Sequence, residues 1–287
     1  MMQKVLNIMD KNFMKVDFLS GVRRIQDVFY ERDTECFVVY DEERLVGVAT
    51  KKELIGAHPN RIIADVMSYK YICIDCCTYI WEIRETFDLN RDIYIALIKD
   101  NDKVIGYITR TTLNIELGKH IDLLTGLYKN DYLFYNAYKL IRSEQNTTII
   151  FIDLNNFGYI DKKYGHINGD AILKDVAEVL KESISSECYL CRYAGDEFAI
   201  LTPHPIDDSR VLAEKIIKSI SSYEFTNNIA VSASIGITGC RIHNNKIENT
   251  FEIIKKLVNI ASLASTKAKQ SANSSIIVGD VDIDAIA

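Results

Sequence analysis

Along the C-terminal half of the chain, apolar runs of strand length alternate with longer stretches of helical period. Thr148-Ile149-Ile150-Phe151-Ile152 is apolar almost throughout and predicts a central strand over 148–154, covered on both faces. Glu187-Cys188-Tyr189-Leu190-Cys191 and Phe198-Ala199-Ile200-Leu201 predict two further strands. Between them lies Arg192-Tyr193-Ala194-Gly195-Asp196-Glu197-Phe198, a small-residue turn that makes a β-hairpin with consecutive carboxylates at its tip. Helices are predicted near Asn130 to Ser143, from about Gly169 to Ser183, near Asp208 to Ser221 and at Thr250 to Lys269. Strands follow at Ile229 to Ile237 and Ser275 to Val278. This alternation reads as an α/β sheet covered by helices, a class in which ligands sit at strand ends.

The first 115 residues carry an internal repeat. Ile8-Met9, Val16-Asp17, Phe29, Asp41, Val46-Gly47-Val48-Ala49-Thr50 and Leu54 recur as Val66-Met67, Ile74-Asp75, Phe87, Asp100, Ile105-Gly106-Tyr107-Ile108-Thr109 and Leu113. Each copy reads as a short strand, a helix (Val22 to Glu31; Ile80 to Leu89), two strands joined by an acidic turn, and a second helix. Neither copy is long enough to cover both faces of its sheet alone, so the two are expected to pack together.

A length of 287 residues with 48% hydrophobic content suits about two soluble domains. No apolar run reaches the 18 or so residues of a membrane span, and Asp10, Lys11 and Lys15 break any leader-like N-terminus; a cytoplasmic, membrane-free protein is expected. A net charge of −6 argues against a nucleic-acid partner. It leaves room for a nucleotide, because a bound metal reverses the sign of a site. Seven cysteines without a secretion signal imply free thiols. Cys73-Ile74-Asp75-Cys76 with Cys77 adjoining, and Cys188-Tyr189-Leu190-Cys191, have metal-like spacing. On an extended strand, however, positions i and i+3 face opposite sides, so these read as buried small residues rather than zinc ligands.

The candidate chemistry lies at the strand ends. Acids at a hairpin tip repel phosphate unless a cation lies between them, and Asp153, closing the central strand, supplies a second carboxylate. Two such groups suit Mg²⁺ (or Mn²⁺), a hard cation that takes oxygen ligands and bridges to nucleotide phosphates.

These residues resemble the GGDEF domain, the catalytic module of diguanylate cyclases. Arg192-Tyr193-Ala194-Gly195-Asp196-Glu197-Phe198 is similar to its signature, with Ala194 for the first glycine. The companions follow in order: Asp122-x-Leu124-Thr125-Gly126-Leu127, Phe151-Ile152-Asp153-Leu154-Asn155-Asn156-Phe157, Gly165-His166-x-x-Gly169-Asp170 and Ser234-x-Gly236. The resemblance implies a nucleotidyl-cyclase-like fold, with a central sheet covered by helices, that condenses two GTP into cyclic di-GMP across a homodimer. By the same resemblance Asp153, the Leu154 carbonyl and Asp196 hold the metal, and Glu197 assists the metal or the attacking hydroxyl. Asp161 and Asp170 take the guanine edge, Lys269 contacts phosphate, and Arg192 supports the site. Gly195 and the backbone N–H groups of Asn155, Asn156 and Phe157 cradle phosphates. The chain departs from the pattern at Asp161, usually Asn; at Gly158, usually Lys; at Asn273, usually Arg; and at Ser185 and Cys188, which replace the Arg and Asp of the product-inhibition motif. The alternative is a degenerate GGDEF domain that serves as a guanine-nucleotide sensor or partner-docking module.

The repeat, in turn, resembles a tandem CBS-domain pair, a regulatory module that often binds adenine nucleotides between its repeats. In that family a Thr or Ser with Asp three residues later holds the ribose and phosphates. The equivalents here are Thr50 with Glu53, and Thr109 with Thr112. The expected organisation is a CBS pair over 1–115 (repeats about 1–58 and 59–115), a short helical linker over 116–121, and a GGDEF domain over 122–287.

Overall fold

The structure is a computed structural model that describes residues 2–32, 34–241, 249–271 and 275–279; Asn273 lies outside these. The chain divides into two units, Met1–Lys119 and His120–Ala287.

In the first unit the two repeats have the same element order. The first runs β1 (Phe13–Asp17), α1 (Val22–Arg32), β2 (Cys36–Asp41), β3 (Arg44–Thr50) and α2 (Lys51–Ile55). The second runs β4 (Tyr71–Asp75), α3 (Ile80–Leu89), β5 (Ile95–Asp100), β6 (Lys103–Thr109) and α4 (Arg110–Gly118). Each forms a three-stranded sheet, β1-β2-β3 or β4-β5-β6, with one parallel and one antiparallel pairing. The repeats interlock as expected from their size. Cys36, Val38 and Val48 of one sheet share a core with Ile95, Leu97, Val104 and Tyr107 of the other. The segment before each first strand also crosses to the opposite repeat: Asp10 bridges to Tyr107 and Ser68 to Val48.

The second unit is built on a five-stranded sheet in the order β11-β10-β7-β9-β8. Its strands are β7 (Thr147–Leu154), β8 (Tyr189–Ala194), β9 (Glu197–Thr202), β10 (Ala233–Cys240) and β11 (Ile276–Val278). Alternate residues of β7 explain its apolar run. Ile149 and Phe151 pack with α5 (Asn130–Arg142) and α9 (Thr250–Gln270) on one face. Ile150, Ile152 and Leu154 face the core formed with α6 (Phe157–Tyr164), α7 (His166–Ser183) and α8 (Ile206–Ser222). Burial on both faces removes the polar alternation that a half-exposed strand would show.

Two expectations change. Helix α6 was not predicted; Gly165, at φ 84°, separates it from α7, and its short amphipathic face buries only Phe157 and Ile160. The strand expected from Ile229 starts instead at Ala233. That residue pairs with Leu154, the last residue of β7, so the ladder between the two strands begins there.

Helix α9 lies close to the sheet where Gly236 leaves room: a Cβ there would overlap the Ala261 carbonyl and the Ser265 amide. Gly236→Ala is therefore expected to push the helix outward and destabilise the domain by about 1–3 kcal/mol, read by denaturant unfolding. Gly158→Ala, within α6 and with open space around it, should be neutral or stabilising by up to about 1 kcal/mol.

Candidate active site

Strand register assembles the acidic site. In the antiparallel ladders Asp153 lies opposite Glu197 on β9 and opposite Ser234 on β10. All three therefore share one face of the sheet, at one end. The hairpin is tighter than its sequence suggests, because β8 extends to Ala194 and β9 begins at Glu197. The loop is then only Gly195-Asp196. Gly195 takes φ 50°, a positive angle suited to glycine in two-residue hairpin loops, whereas Ala194 is not among the positive-φ residues and is accommodated without that strain. Asp196 is held at the β7 end by its carbonyl, which accepts from the Leu154 amide at 3.4 Å.

Arg192 ties this loop to the start of the domain. Its Nε donates to the Gly195 carbonyl at 2.9 Å and its Nη1 to Asp122 Oδ1 at 2.9 Å. Asp122 Oδ1 also accepts from the Thr125 amide and hydroxyl, folding Asp122-x-Leu124-Thr125 into a turn. Burial opposes ionisation of Asp122, but the Thr125 and Arg192 hydrogen bonds outweigh it and hold its pKa below the ordinary value. With its guanidinium engaged in this way, Arg192 positions the hairpin. Asp122 was visible in the sequence as part of a motif, but its grip on Arg192, 70 residues away, was not.

The remaining charges converge. Lys269 Nζ, from α9, donates to Asp153 Oδ1 at 2.7 Å and to the Leu154 carbonyl at 3.1 Å. Burial first, then the negative charge of Asp153, raise the pKa of Asp196; burial, Asp153 and Asp196 raise that of Glu197; Lys269 pulls both back. The arrangement is an oxygen-rich site with more negative charge than its single lysine balances. It is not a closed cage: among the described residues, the one group of three metal-ligating side chains whose atoms all lie within 4.8 Å is Asp75, Cys76 and Cys77.

The base and phosphate side is more occupied than the resemblance implied. The Asn155 amide, expected to face phosphate, donates to the Ser232 carbonyl at 2.8 Å, and its side chain bonds Ser232 and Ser234. Asn155 therefore fastens β7 to β10, a correction that follows from β10 lying directly beside it. Asn156, at φ 53°, and Phe157 open α6, and nothing crowds Gly158. Asp161 Oδ2 pairs with His166 Nδ1 at 3.1 Å, while Oδ1 is buried with no hydrogen-bond partner, against Gly169. Asp170 is exposed on α7.

Comparison with known proteins decides the family. Residues 119–275 match the family described as diguanylate cyclase, GGDEF domain. The chain belongs to the GGDEF-domain family. It is 31% identical over 119 residues to the diguanylate cyclase DgcS of Shewanella oneidensis, covering 40% of each protein. It is 34% identical over 111 residues to the bifunctional diguanylate cyclase/cyclic di-GMP phosphodiesterase MucR of Pseudomonas aeruginosa, covering 38% of this chain and 16% of MucR. The chain thus spans well under two thirds of the length of these relatives. The fold is shared with the diguanylate cyclase SiaD of Pseudomonas aeruginosa, solved with its activator SiaC (TM-score 0.52, 20% identity, 70% of each chain). It is shared also with the GGDEF domain of PA1120 from that organism (TM-score 0.50, 24% identity, 58% of this chain and 98% of that one).

Residues 5–60 match the CBS domain family, and the second repeat has the same order of elements. Thr50 and Thr109, which the CBS resemblance pointed to, line one cleft of about 480 Å³ together with Glu35, Lys52, Tyr94 and Tyr107. Glu53 caps α2, accepting from the Thr50 amide and hydroxyl at 2.9 and 2.6 Å, and takes the Tyr94 hydroxyl at 3.0 Å. Thr109 caps α4 and bonds Thr112 at 2.8 Å. The cysteines are not uniformly buried: Cys73, in the middle of the edge strand β4, and Cys77, in the turn beyond it, are exposed. No helix among the described residues is long and apolar enough to cross a membrane.

The raised carboxylates give a signed pH dependence. Folded Asp196 and Glu197 hold protons more tightly than the unfolded chain, so they cost stability as pH rises above the unfolded carboxylate range. Asp196→Asn and Glu197→Gln should each raise the thermal midpoint of the metal-free protein at neutral pH by a few degrees at most. Well below the carboxylate range they should change it little. A midpoint that falls at neutral pH would contradict this electrostatic reading.

Proposed function

We propose that this chain is a diguanylate cyclase, with the CBS pair as its regulatory unit. The observation that carries the reading is the point where Asp153 Oδ1 and the Leu154 carbonyl meet a single ammonium group beside the Asp196 turn. The oxygens a divalent metal would take are thus already directed at one cation, and the donor set suits Mg²⁺ or Mn²⁺. Asp153, the Leu154 carbonyl and Asp196 would hold that ion, which when bound neutralises developing charge on the phosphates.

The chain's own groups do the rest. Glu197, whose pKa is raised by burial and by two neighbouring carboxylates, would accept the proton of the 3′-hydroxyl. That oxygen forms a bond to the α-phosphorus of a second GTP and pyrophosphate leaves; the reciprocal attack closes the ring and releases a second pyrophosphate. Lys269 would turn from Asp153 to the phosphates once a metal takes its place. The N–H groups of Asn156 and Phe157 at the start of α6 offer donors to phosphate. Asp161 and Asp170 accept from the guanine edge. One domain holds one GTP, so the reaction requires a homodimer. The CBS cleft, at about 480 Å³, falls within the range of small-molecule sites and would admit an adenine nucleotide if Tyr94 releases Glu53. A non-catalytic guanine-nucleotide sensor is the second reading, favoured by Gly158, which offers no cation to the phosphates.

Incubation with GTP and Mg²⁺, with separation of the products, decides between them. The wild-type chain should form cyclic di-GMP, and Asp153→Asn or Asp196→Asn should each abolish product while circular dichroism stays unchanged. Gly158→Lys with Asp161→Asn should raise turnover by up to about 10²-fold, the scale of one good electrostatic contact to a transition state. Bound GTP and a folded dimer with no product from either protein would move the assignment to the sensor.

A further inference from the structure

We propose that the second CBS repeat holds a thiophilic d¹⁰ cation, of which Zn²⁺ is the type, on Asp75, Cys76 and Cys77. The ligand atoms of these three residues lie within 4.8 Å of one another. A tetrahedral ion with bonds of about 2.0–2.3 Å needs its ligand atoms about 3.3–3.8 Å apart, so closure shortens each separation by at most about 1.5 Å. Two thiolates and one carboxylate select a soft or borderline cation over Mg²⁺ or Ca²⁺.

The backbone is built to present these side chains. The Cys77 amide donates to Asp75 Oδ1 at 2.7 Å and the Thr78 amide to the Asp75 carbonyl at 3.1 Å, while the Cys76 amide is anchored on the Lys99 carbonyl at 2.9 Å. The first repeat makes the same turn: Leu19 to Asp17 Oδ1 at 2.8 Å, Ser20 to the Asp17 carbonyl at 2.9 Å, and Phe18 to the Tyr40 carbonyl at 2.9 Å. There the two side chains are Phe18 and Leu19, so the fold does not call for thiols at these positions. Spacing within β4 argues against chelation by Cys73 with Cys76. The turn changes that geometry by bringing Cys77 and Asp75 to Cys76 instead.

The test is titration of the full chain, anaerobic and phosphine-reduced, with Cd²⁺, whose thiolate charge-transfer absorption reports sulfur ligation. The band should saturate at one equivalent and be displaced by Zn²⁺. Cys77→Ser, at an exposed position, should weaken binding by about a hundredfold, and Asp75→Asn, which keeps the turn-capping oxygen, by about tenfold; loss of even an outer-shell partner costs that much. Cys73→Ser and Cys188→Ser should leave the isotherm unchanged. Circular dichroism confirms that each variant is folded. Absence of the band in the wild-type chain, an unchanged isotherm in Cys77→Ser, or loss of the band in Cys73→Ser would overturn the assignment.

Discussion

The register of β7 against β9 puts Asp153 opposite Glu197, and two like charges facing each other across a ladder are unfavourable in the absence of a cation. Much of the surrounding structure answers that repulsion. Helix α9 brings Lys269 to Asp153, and it can do so because Gly236 lets the helix lie against the sheet. Burial first, and then the remaining repulsion from Asp153, raise the affinity of Asp196 and Glu197 for protons. The ammonium group of Lys269 meets two of these oxygens, Asp153 Oδ1 and the Leu154 carbonyl, at once.

Precision at the hairpin comes from a second interaction with the opposite electrostatic sense. Arg192 is only slightly exposed and paired with Asp122, and its fork spans a carbonyl of the turn and a carboxylate from the domain's opening motif. A lysine donates from one nitrogen only and lacks the planar fork whose separate Nε and Nη1 reach the two acceptors here. The hairpin tip is thereby fixed from behind, leaving Asp196 and Glu197 on the open side. Positive and negative sides of the loop therefore have different tasks: one sets the backbone, the other presents oxygens.

The CBS unit shows how a repeat diverges without altering its frame. Equivalent irregularities in strand pairing fall at Val39/Tyr40 and Ile98/Lys99, and reciprocal bridges join each lead-in segment to the other repeat. On this common frame Glu53 becomes Thr112, and the apolar pair Phe18-Leu19 becomes Cys76-Cys77. Backbone hydrogen bonds carry the symmetry, and side chains carry the specialisation.

The sequence alone determined the repeat, the α/β alternation, the central strand and the acidic hairpin, because each is written in local period and turn chemistry. It also placed Asp153 and Asp196 at strand ends. It could not show that Asn155 spends its amide on Ser232, that α6 breaks from α7 at Gly165, or that Thr50 and Thr109 share one cleft. Nor could it show that Cys77 rather than Cys73 approaches Cys76, since strand spacing says nothing of the turn that follows. These features depend on which distant segments lie side by side. Lys269 and Asp153, 116 residues apart, meet only because a helix crosses the sheet at a glycine, and only the tertiary structure decides such a crossing.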